Sequence, residues 1–170
     1  MTNFVTTEYQ KVLSSGPEGE VVETVYKETN YWRTVDETED PFDVVLHREG
    51  GQPAVILQRL NEAGEKELES GHMYFEDGKA YRTDGPTSIQ GEEVVALEYE
   101  YGDFTLDVAL QVAHSQGLIT DQELKSGLDA YEELPKYMER GNNVFSKENF
   151  PYKKQTRKIM NLINKANKKS

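Results

Sequence analysis

Short runs of β-branched and aromatic residues, separated by Gly, Pro and Asp, fill the chain from Val21 to Tyr101. Apolar and polar positions partly alternate within these runs, which is typical of half-buried strands. Each run is short, and strands joined by short turns pair antiparallel. The pattern therefore predicts a meander of roughly five to seven short strands in this region.

After Tyr101 the apolar residues recur at helical spacing. Asp103 is placed to cap a first helix, and Gly117 occupies the position of a glycine that ends one. The apolar residues of this segment cover more than one helical face, so we expect the helix to be well buried.

A capping box at Thr120–Glu123 opens a second predicted helix, which we expect to run to about Glu139. The two helices have the spacing of a DNA-binding helix-turn-helix, but the second is acidic and phosphate would repel it. We therefore interpret them as a packing hairpin. Pro151 suits the first turn of a final helix, which has a narrow apolar stripe and is otherwise basic.

The predicted fold class is α+β: an antiparallel β-meander of short strands, followed by an αα-hairpin and a basic C-terminal helix. At the N-terminus, residues 3–14 predict a short helix, and the Ser, Gly and Pro that follow predict a linker. We divide the chain into 1–20, an N-terminal segment and linker; 21–102, the β-meander with two degenerate repeats; 103–140, the acidic αα-hairpin; and 141–170, a loop and the basic helix.

Composition narrows the class of protein. The chain has 170 residues, a mean hydropathy of −0.76 and no Cys, which excludes disulfides and thiolate metal sites. Its first residues show neither the basic nor the apolar segment of a signal peptide. No apolar run approaches the roughly 20 residues that cross a bilayer. We expect a cytoplasmic protein that does not use a membrane.

Charge is divided unevenly along the chain, whose net charge is −12. Residues 136–170 contain ten Lys or Arg and two Asp or Glu, whereas residues 1–135 contain nine Lys or Arg and 29 Asp or Glu. The acidic part serves solubility alone, or it repels nucleic acid and attracts basic protein surfaces. The basic helix is the one patch suited to nucleic acid; alternatively it docks on the acidic part of its own chain or of a second copy.

Two segments share one motif. "VLHREGGQPAVI" at 45–56 aligns with "KAYRTDGPTSI" at 79–89, so that His47-Arg48 matches Tyr81-Arg82 and Pro53 matches Pro86, with one extra residue in the first copy. Backbone requirements explain much of it: Asp84 can accept backbone N–H groups, Gly85 can supply unusual φ values, and Pro86 suits a strand start. The motif is thus interpreted mainly as a repeated β-turn.

The longer segment "FEDGKAYRTDGPTSI", with an Asp-Gly pair typical of a type I′ hairpin, resembles a unit of the "His-Arg-x-Asp-Gly-Pro-Ala-Val-Ile" repeats. These belong to YwqK/MORN-like proteins of phages and bacteria. The resemblance covers about residues 42–90, with Gly50-Gly51-Gln52 and Thr87-Ser88 departing from the pattern. It implies a β-repeat fold and a binding surface more firmly than an activity.

Candidate chemistry is sparse. His47, His72 and Asp84, with Arg82, form an acid–base group only if the strand register brings them together. The histidines lack the spacings of metal ligands, and no P-loop, GxGxxG or GxSxG motif is present, so no metal and no cofactor are expected.

The function expected first is a non-enzymatic protein-binding factor, for example a phage accessory protein that inhibits a host or defence protein through an acidic surface. The alternatives are a small hydrolase or nuclease that uses the His/Asp/Arg group, and a structural or assembly protein, for which an oligomer is expected. Tyr is common at protein interfaces. The binding candidates are His47, Arg48, Tyr81, Arg82, Tyr99 and Tyr101.

Overall fold

The computed structural model describes residues 2–15, 21–35, 45–61, 63, 65–90, 94–139 and 150–169. The chain divides into two compact units, Met1–Gly78 and Lys79–Ser170. Each unit contains antiparallel strands, and the three helices found among these residues all belong to the second. The α+β class predicted from the sequence is confirmed.

Unit 1 is built on an antiparallel sheet in the order β1-β2-β4-β5, with β3 paired to β2. Its strands are β1 (Thr2–Ser15), β2 (Val21–Val35), β3 (Val45–Leu46), β4 (Val55–Leu60), β5 (Lys66–Met73) and β6 (Phe75–Glu76). β2 is far longer than the short strands expected from Val21 onward.

The helix predicted for residues 3–14 is wrong, because this segment is strand β1 and pairs with β2 along its whole length. Its Val and Thr residues favour strands, and its apolar residues form no helical stripe. The linker predicted at residues 14–20 is wrong at its start, because Ser14 and Ser15 belong to β1 and pair with β2; its residues 16–20 lie outside the described residues.

The predicted Asp-Gly turn is confirmed. Asp77 and Gly78 have φ angles of 50° and 77°, the positive values that a type I′ turn requires. The Gly78 N–H donates to the carbonyl of Leu46 at 2.8 Å, which ties the turn to β3.

Unit 2 combines short strands with three helices, and β8, β9 and β12 form an antiparallel sheet in that order. Its elements are β7 (Lys79–Ala80), β8 (Ser88–Gln90), β9 (Val94–Glu98), β10 (Glu100–Tyr101), β11 (Phe104–Thr105), α1 (Leu106–Ser115), α2 (Asp121–Glu132), β12 (Tyr137–Glu139) and α3 (Lys153–Lys169).

Three helix boundaries differ from the prediction. α3 begins at Lys153, so Pro151 precedes the helix instead of lying in its first turn. α1 starts at Leu106, and its N-cap is Thr105 rather than Asp103, because Phe104 and Thr105 first pair with β10. α2 ends at Glu132 instead of continuing to about Glu139. Pro135 follows its end, and the chain then returns as strand β12 beside β9.

Other helix ends are confirmed. Gly117, at φ 73°, ends α1, and the Leu118 N–H donates to the Ala113 carbonyl as in a Schellman motif. The capping box of α2 has both of its hydrogen bonds, between Thr120 and Glu123.

The core of unit 2 lies where the helices meet the sheet. Fully or almost fully buried residues come from every helix and from β8 and β9, among them Ile89, Leu97, Leu110, Ala130, Ile159 and Ile163. The α1–α2 hairpin packs closely: a Cβ at Gly127 would meet a methyl of Leu110 at 2.8 Å. Among the described residues, no helix has the length and apolar character needed to cross a membrane.

Candidate functional site

The repeated motif forms the same side-chain contact twice. In the first copy Arg48 Nη1 donates to the carbonyl oxygen of Pro53, and in the second Arg82 Nη1 donates to that of Pro86, both at 3.0 Å. The first loop is one residue longer, yet the contact is preserved. The motif is therefore a turn closed by an arginine, a role that the sequence interpretation did not foresee.

The first copy holds its arginine against an aromatic ring. The Arg48 guanidinium carbon lies 3.8 Å from the centroid of the Trp32 ring, a cation–π contact. Burial lowers the pKa of Arg48, and the nearby Tyr74 partly opposes this shift. Arg48 is thus held in place on two sides, which leaves little freedom for a catalytic role.

His47 fixes the neighbouring hairpin turn. The Asp77 N–H donates to His47 Nδ1 at 2.9 Å, so the neutral ring carries its own proton on Nε2. Nε2 lies 3.5 Å from a carboxylate oxygen of Glu49. His47 therefore joins the first motif copy to the Asp77–Gly78 turn.

The second copy holds its arginine inside unit 2, where Arg82 is 5 % exposed. Gly85 does not have the positive φ that the sequence suggested. Glycine is needed there for space, because a Cβ would lie 2.8 Å from the guanidinium carbon of Arg82. The sequence identified the residue but not the reason.

Asp84 is anchored to the basic helix. Its Oδ1 atom accepts a hydrogen bond from Nε of Arg157 in α3 at 3.1 Å, and Nη2 of the same guanidinium lies 3.0 Å from that oxygen as an ion pair. The Asp84 side chain is 7 % exposed and that of Arg157 is 55 % exposed. This ion pair fastens the second turn to a helix 73 residues further along the chain.

The four candidates for chemistry fall in different units. His47 and His72 belong to unit 1, whereas Arg82 and Asp84 belong to unit 2. His72 is buried in β5 opposite Ile56. Within the described ranges, no group of three or more His, Asp or Glu side chains is arranged to hold a metal ion.

An acidic cluster, Glu49, Glu76 and Asp77, surrounds His47. Glu49 and Asp77 are 81 % and 72 % exposed in their side chains. The pKa of Glu76 is raised, chiefly by burial; His47 opposes the shift, while Asp77 and Glu49 add to it. In the described part of the chain, no Lys or Arg pairs with these three carboxylates. Their negative charge is thus concentrated and uncompensated, apart from His47.

The predicted aromatic binding residues occupy two environments. Tyr81 and Tyr101 are half-buried and meet edge to face at 6.0 Å, and Asn167 of α3 donates to the Tyr101 hydroxyl. Tyr99 is only 2 % exposed and belongs to the core, where burial raises its pKa. A surface role is therefore compatible with Tyr101 but not with Tyr99.

A lysine packs against Tyr99 from the α2–β12 connection. Lys136 Nζ lies 5.3 Å from the centroid of the Tyr99 ring and 3.4 Å from that of Tyr131. Burial lowers the pKa of Lys136, although Glu132 and Asp107 partly offset the effect. These contacts were not foreseen, since the sequence signal was one Lys beside a proline.

Two further residues of the site were not predicted from the sequence. Arg157 is the partner of Asp84, and Glu76 is a member of the acidic cluster. The general signals were present, namely a basic helix and an acidic surface. The individual contacts could be assigned only from the fold, because Arg157 lies far from Asp84 in the sequence, and Glu76 lies far from His47.

The fold and these contacts define an α+β protein with two arginine-closed turns, an acidic cluster beside the first, and a basic helix fastened to the second. No protein-family model, no curated protein and no solved structure matches the chain. The likeness of residues 42–90 to YwqK/MORN-like repeats stays a prediction.

Proposed function

We propose that this chain is a non-enzymatic binding protein whose acidic unit 1 binds a protein with a basic surface. The observation that carries the proposal is the acidic cluster of Glu49, Glu76 and Asp77 around His47. The first two sequence positions of the motif, His47 and Arg48, act there as supports for the turn that displays these carboxylates.

Charge favours a cationic partner. Unit 1 contains 17 Asp or Glu and six Lys or Arg. Unit 2 contains 14 Asp or Glu and 13 Lys or Arg, so its charge is almost balanced. Burial is the chief cause of the raised pKa of Glu76, and repulsion from Asp77 and Glu49 adds to it. That repulsion is relieved when a Lys or Arg of a partner approaches. Complementary charge of this kind speeds association and selects the partner.

The hydrolase or nuclease alternative is favoured less. It needs His47 and Asp84 as free acid–base groups, but His47 accepts a backbone hydrogen bond and Asp84 holds Arg157. The narrower expectation is that the chain is a phage factor that inhibits a host or defence protein. This expectation stays a prediction.

The test is capture of partners from a bacterial lysate on the immobilised full chain at low salt, followed by measured affinity for each purified partner. We expect binding that weakens steeply with salt and that the E49Q/D77N variant reduces strongly. D103N/D129N is the matched control, with the same change of charge at exposed sites of unit 2. If the two variants bind equally well, or if no partner is retained at low salt, the proposal is wrong.

Glu76→Gln supplies a second readout. Because the pKa of Glu76 is raised, its charged form is disfavoured in the folded protein, and stability falls as pH rises through that pKa. The variant should therefore melt at a higher temperature at neutral pH while binding the partner more weakly. A gain in both properties would contradict the proposal.

A further inference from the structure

The exposed side of α3 carries a continuous row of cationic and amide groups. The helix contains seven Lys or Arg and no acid. Because an α-helix has about 3.6 residues per turn, residues that follow one another at intervals of four or three lie on the same face of the helix. The residues at these intervals are all exposed and are named here the lysine row: Lys154, Lys158, Asn161, Lys165 and Lys168. The row is about 21 Å long.

The opposite side of α3 is committed to the core of unit 2. Its buried residues are Thr156, Ile159, Met160, Ile163 and Ala166. α3 is held further by the Asp84–Arg157 pair and by a 2.7 Å ion pair between Lys165 and Glu123. The apolar face is therefore not available to enter a lipid surface, and the row is displayed on a fixed support.

Three ammonium groups of the row are available to a ligand. Lys154, Lys158 and Lys168 make no hydrogen bond and no ion pair with any part of the chain that the structure describes. Lys165 neutralises the one acid that lines the space beside the row, Glu123, and its bond lowers the pKa of that carboxyl to about 2.

An open cleft of about 490 Å³ lies beside the middle of the row, between the first turns of α2 and the centre of α3. Its polar lining consists of hydroxyl, amide and ammonium groups, together with the Glu123 carboxylate that Lys165 pairs; the residues other than Glu123 are Thr120, Gln122, Ser126, Lys158, Asn161 and Lys165. Side chains of these types are the ones that proteins use to contact phosphate and sugar oxygens.

We propose that the lysine row and the adjoining cleft bind the phosphate backbone of a nucleic acid. A protein partner is favoured less for this surface, since protein interfaces are depleted in Lys and are centred on buried aromatic or apolar anchors. The row has no such anchor, and Leu162 beside it is half-buried. The row also lacks the Arg and aromatic groups that read bases, so binding is independent of sequence.

The net charge of −12 sets the conditions for this binding. We expect the row to contact three or four phosphates. A plot of the logarithm of the binding constant for duplex DNA against the logarithm of the salt concentration should then have a slope of about −3. Binding is therefore expected at low salt and should be lost as the salt concentration rises.

The test is fluorescence anisotropy of the full chain with a labelled random-sequence DNA duplex over a series of salt concentrations. The K154Q/K158Q variant should bind about tenfold more weakly or worse, and its salt slope should shrink by about 1.8. K66Q/K79Q is the control of equal charge, at exposed positions outside α3, and it should keep the wild-type slope. Melting temperatures verify that both variants fold.

Two competing ligands separate the sources of negative charge: polyglutamate for an acidic protein, and vesicles containing anionic lipid for a membrane. Binding to the duplex that weakens in K154Q/K158Q and not in the control supports the proposal. Absence of duplex binding at low salt overturns it, as do equal effects of the two variants. Binding only to polyglutamate or only to vesicles also overturns it. The acidic-cluster variants of unit 1 should leave duplex binding intact, so the two proposals fail separately.

Discussion

The guanidinium of Arg157 donates one hydrogen bond from Nε to a carboxylate oxygen of Asp84 and places Nη2 3.0 Å from the same oxygen, and so fastens helix α3 to the second arginine-closed turn. The carboxylate is buried, whereas the guanidinium is partly exposed. An ion pair with one buried member is costly to break from the exposed side, because the carboxylate then remains in the core without this partner.

We predict that Arg157→Gln lowers the free energy of unfolding by about 2 kcal/mol. Lys158→Gln, one position along and exposed, should change it by less than about 0.5 kcal/mol. Urea unfolding of R157Q, D84N and the double variant gives the coupling energy, expected at about 1 to 2 kcal/mol. Additive effects would mean that the pair contributes nothing beyond its separate residues.

The second prediction concerns Gly85, whose missing side chain leaves room for Arg82. Gly85→Ala should destabilise the protein by about 1 to 3 kcal/mol, because the new methyl overlaps the buried guanidinium. Thermal unfolding of G85A beside R82M/G85A checks the cause. The cost of the alanine should shrink when the guanidinium is absent; an unchanged cost in the R82M background would point to the backbone instead.

The third prediction concerns the buried hydroxyl of Tyr99, which has no hydrogen-bond partner among the described residues. Tyr99→Phe should leave stability unchanged or raise it by about 1 kcal/mol, since an unsatisfied buried group is removed. Tyr101→Phe is the matched control, because that hydroxyl accepts a bond from Asn167 and its loss should cost about 0.5 kcal/mol. A clear loss of stability in Y99F would show that its hydroxyl has a partner in solution.

The fourth prediction is a pH window set by Glu123. Its bond with Lys165, followed by the backbone bond of the capping box, lowers its pKa from 4.5 to about 2. A lowered carboxyl pKa stabilises the fold above the unfolded-state value, and this stability is lost as pH falls from about 4.5 to about 2. Glu123→Gln keeps an acceptor for Thr120 but cannot ionise. Its stability should therefore vary less with pH in that window, whereas Asp129→Asn should follow the wild type.

Features built from neighbouring residues were predictable from the sequence. The capping box at Thr120 and Glu123, the glycine end of α1 and the Asp77–Gly78 turn each depend on chemistry within a few residues. The α+β class followed from the change of hydrophobic period near Tyr101. These elements form wherever the local chain carries the right residues.

Features that depend on distant pairing were not predictable. Residues 3–14 are a strand because β2 supplies their hydrogen bonds, and α2 ends early because β12 pairs with β9. The same limit applies to the site. The motif was recognised, but only the fold brings Arg157 to Asp84 and Glu76 to His47. The contact of Lys136 with the Tyr99 ring likewise depends on the fold. Gly85 was singled out correctly, yet its reason lies in the position of another side chain.

The paired arginine–proline contacts carry a practical consequence for labelling. The first turn closes over one more residue than the second, so its contact already accommodates an insertion. Gly50 and Gly51 have φ angles of 80° and 71°, which strain any side chain placed there, whereas the next residue, Gln52, is exposed and has no positive φ. A small fluorophore attached at position 52 should leave unit 1 folded. Because Glu49 lies three residues earlier in the same turn, such a dye would report optically on the arrival of a ligand at the acidic cluster.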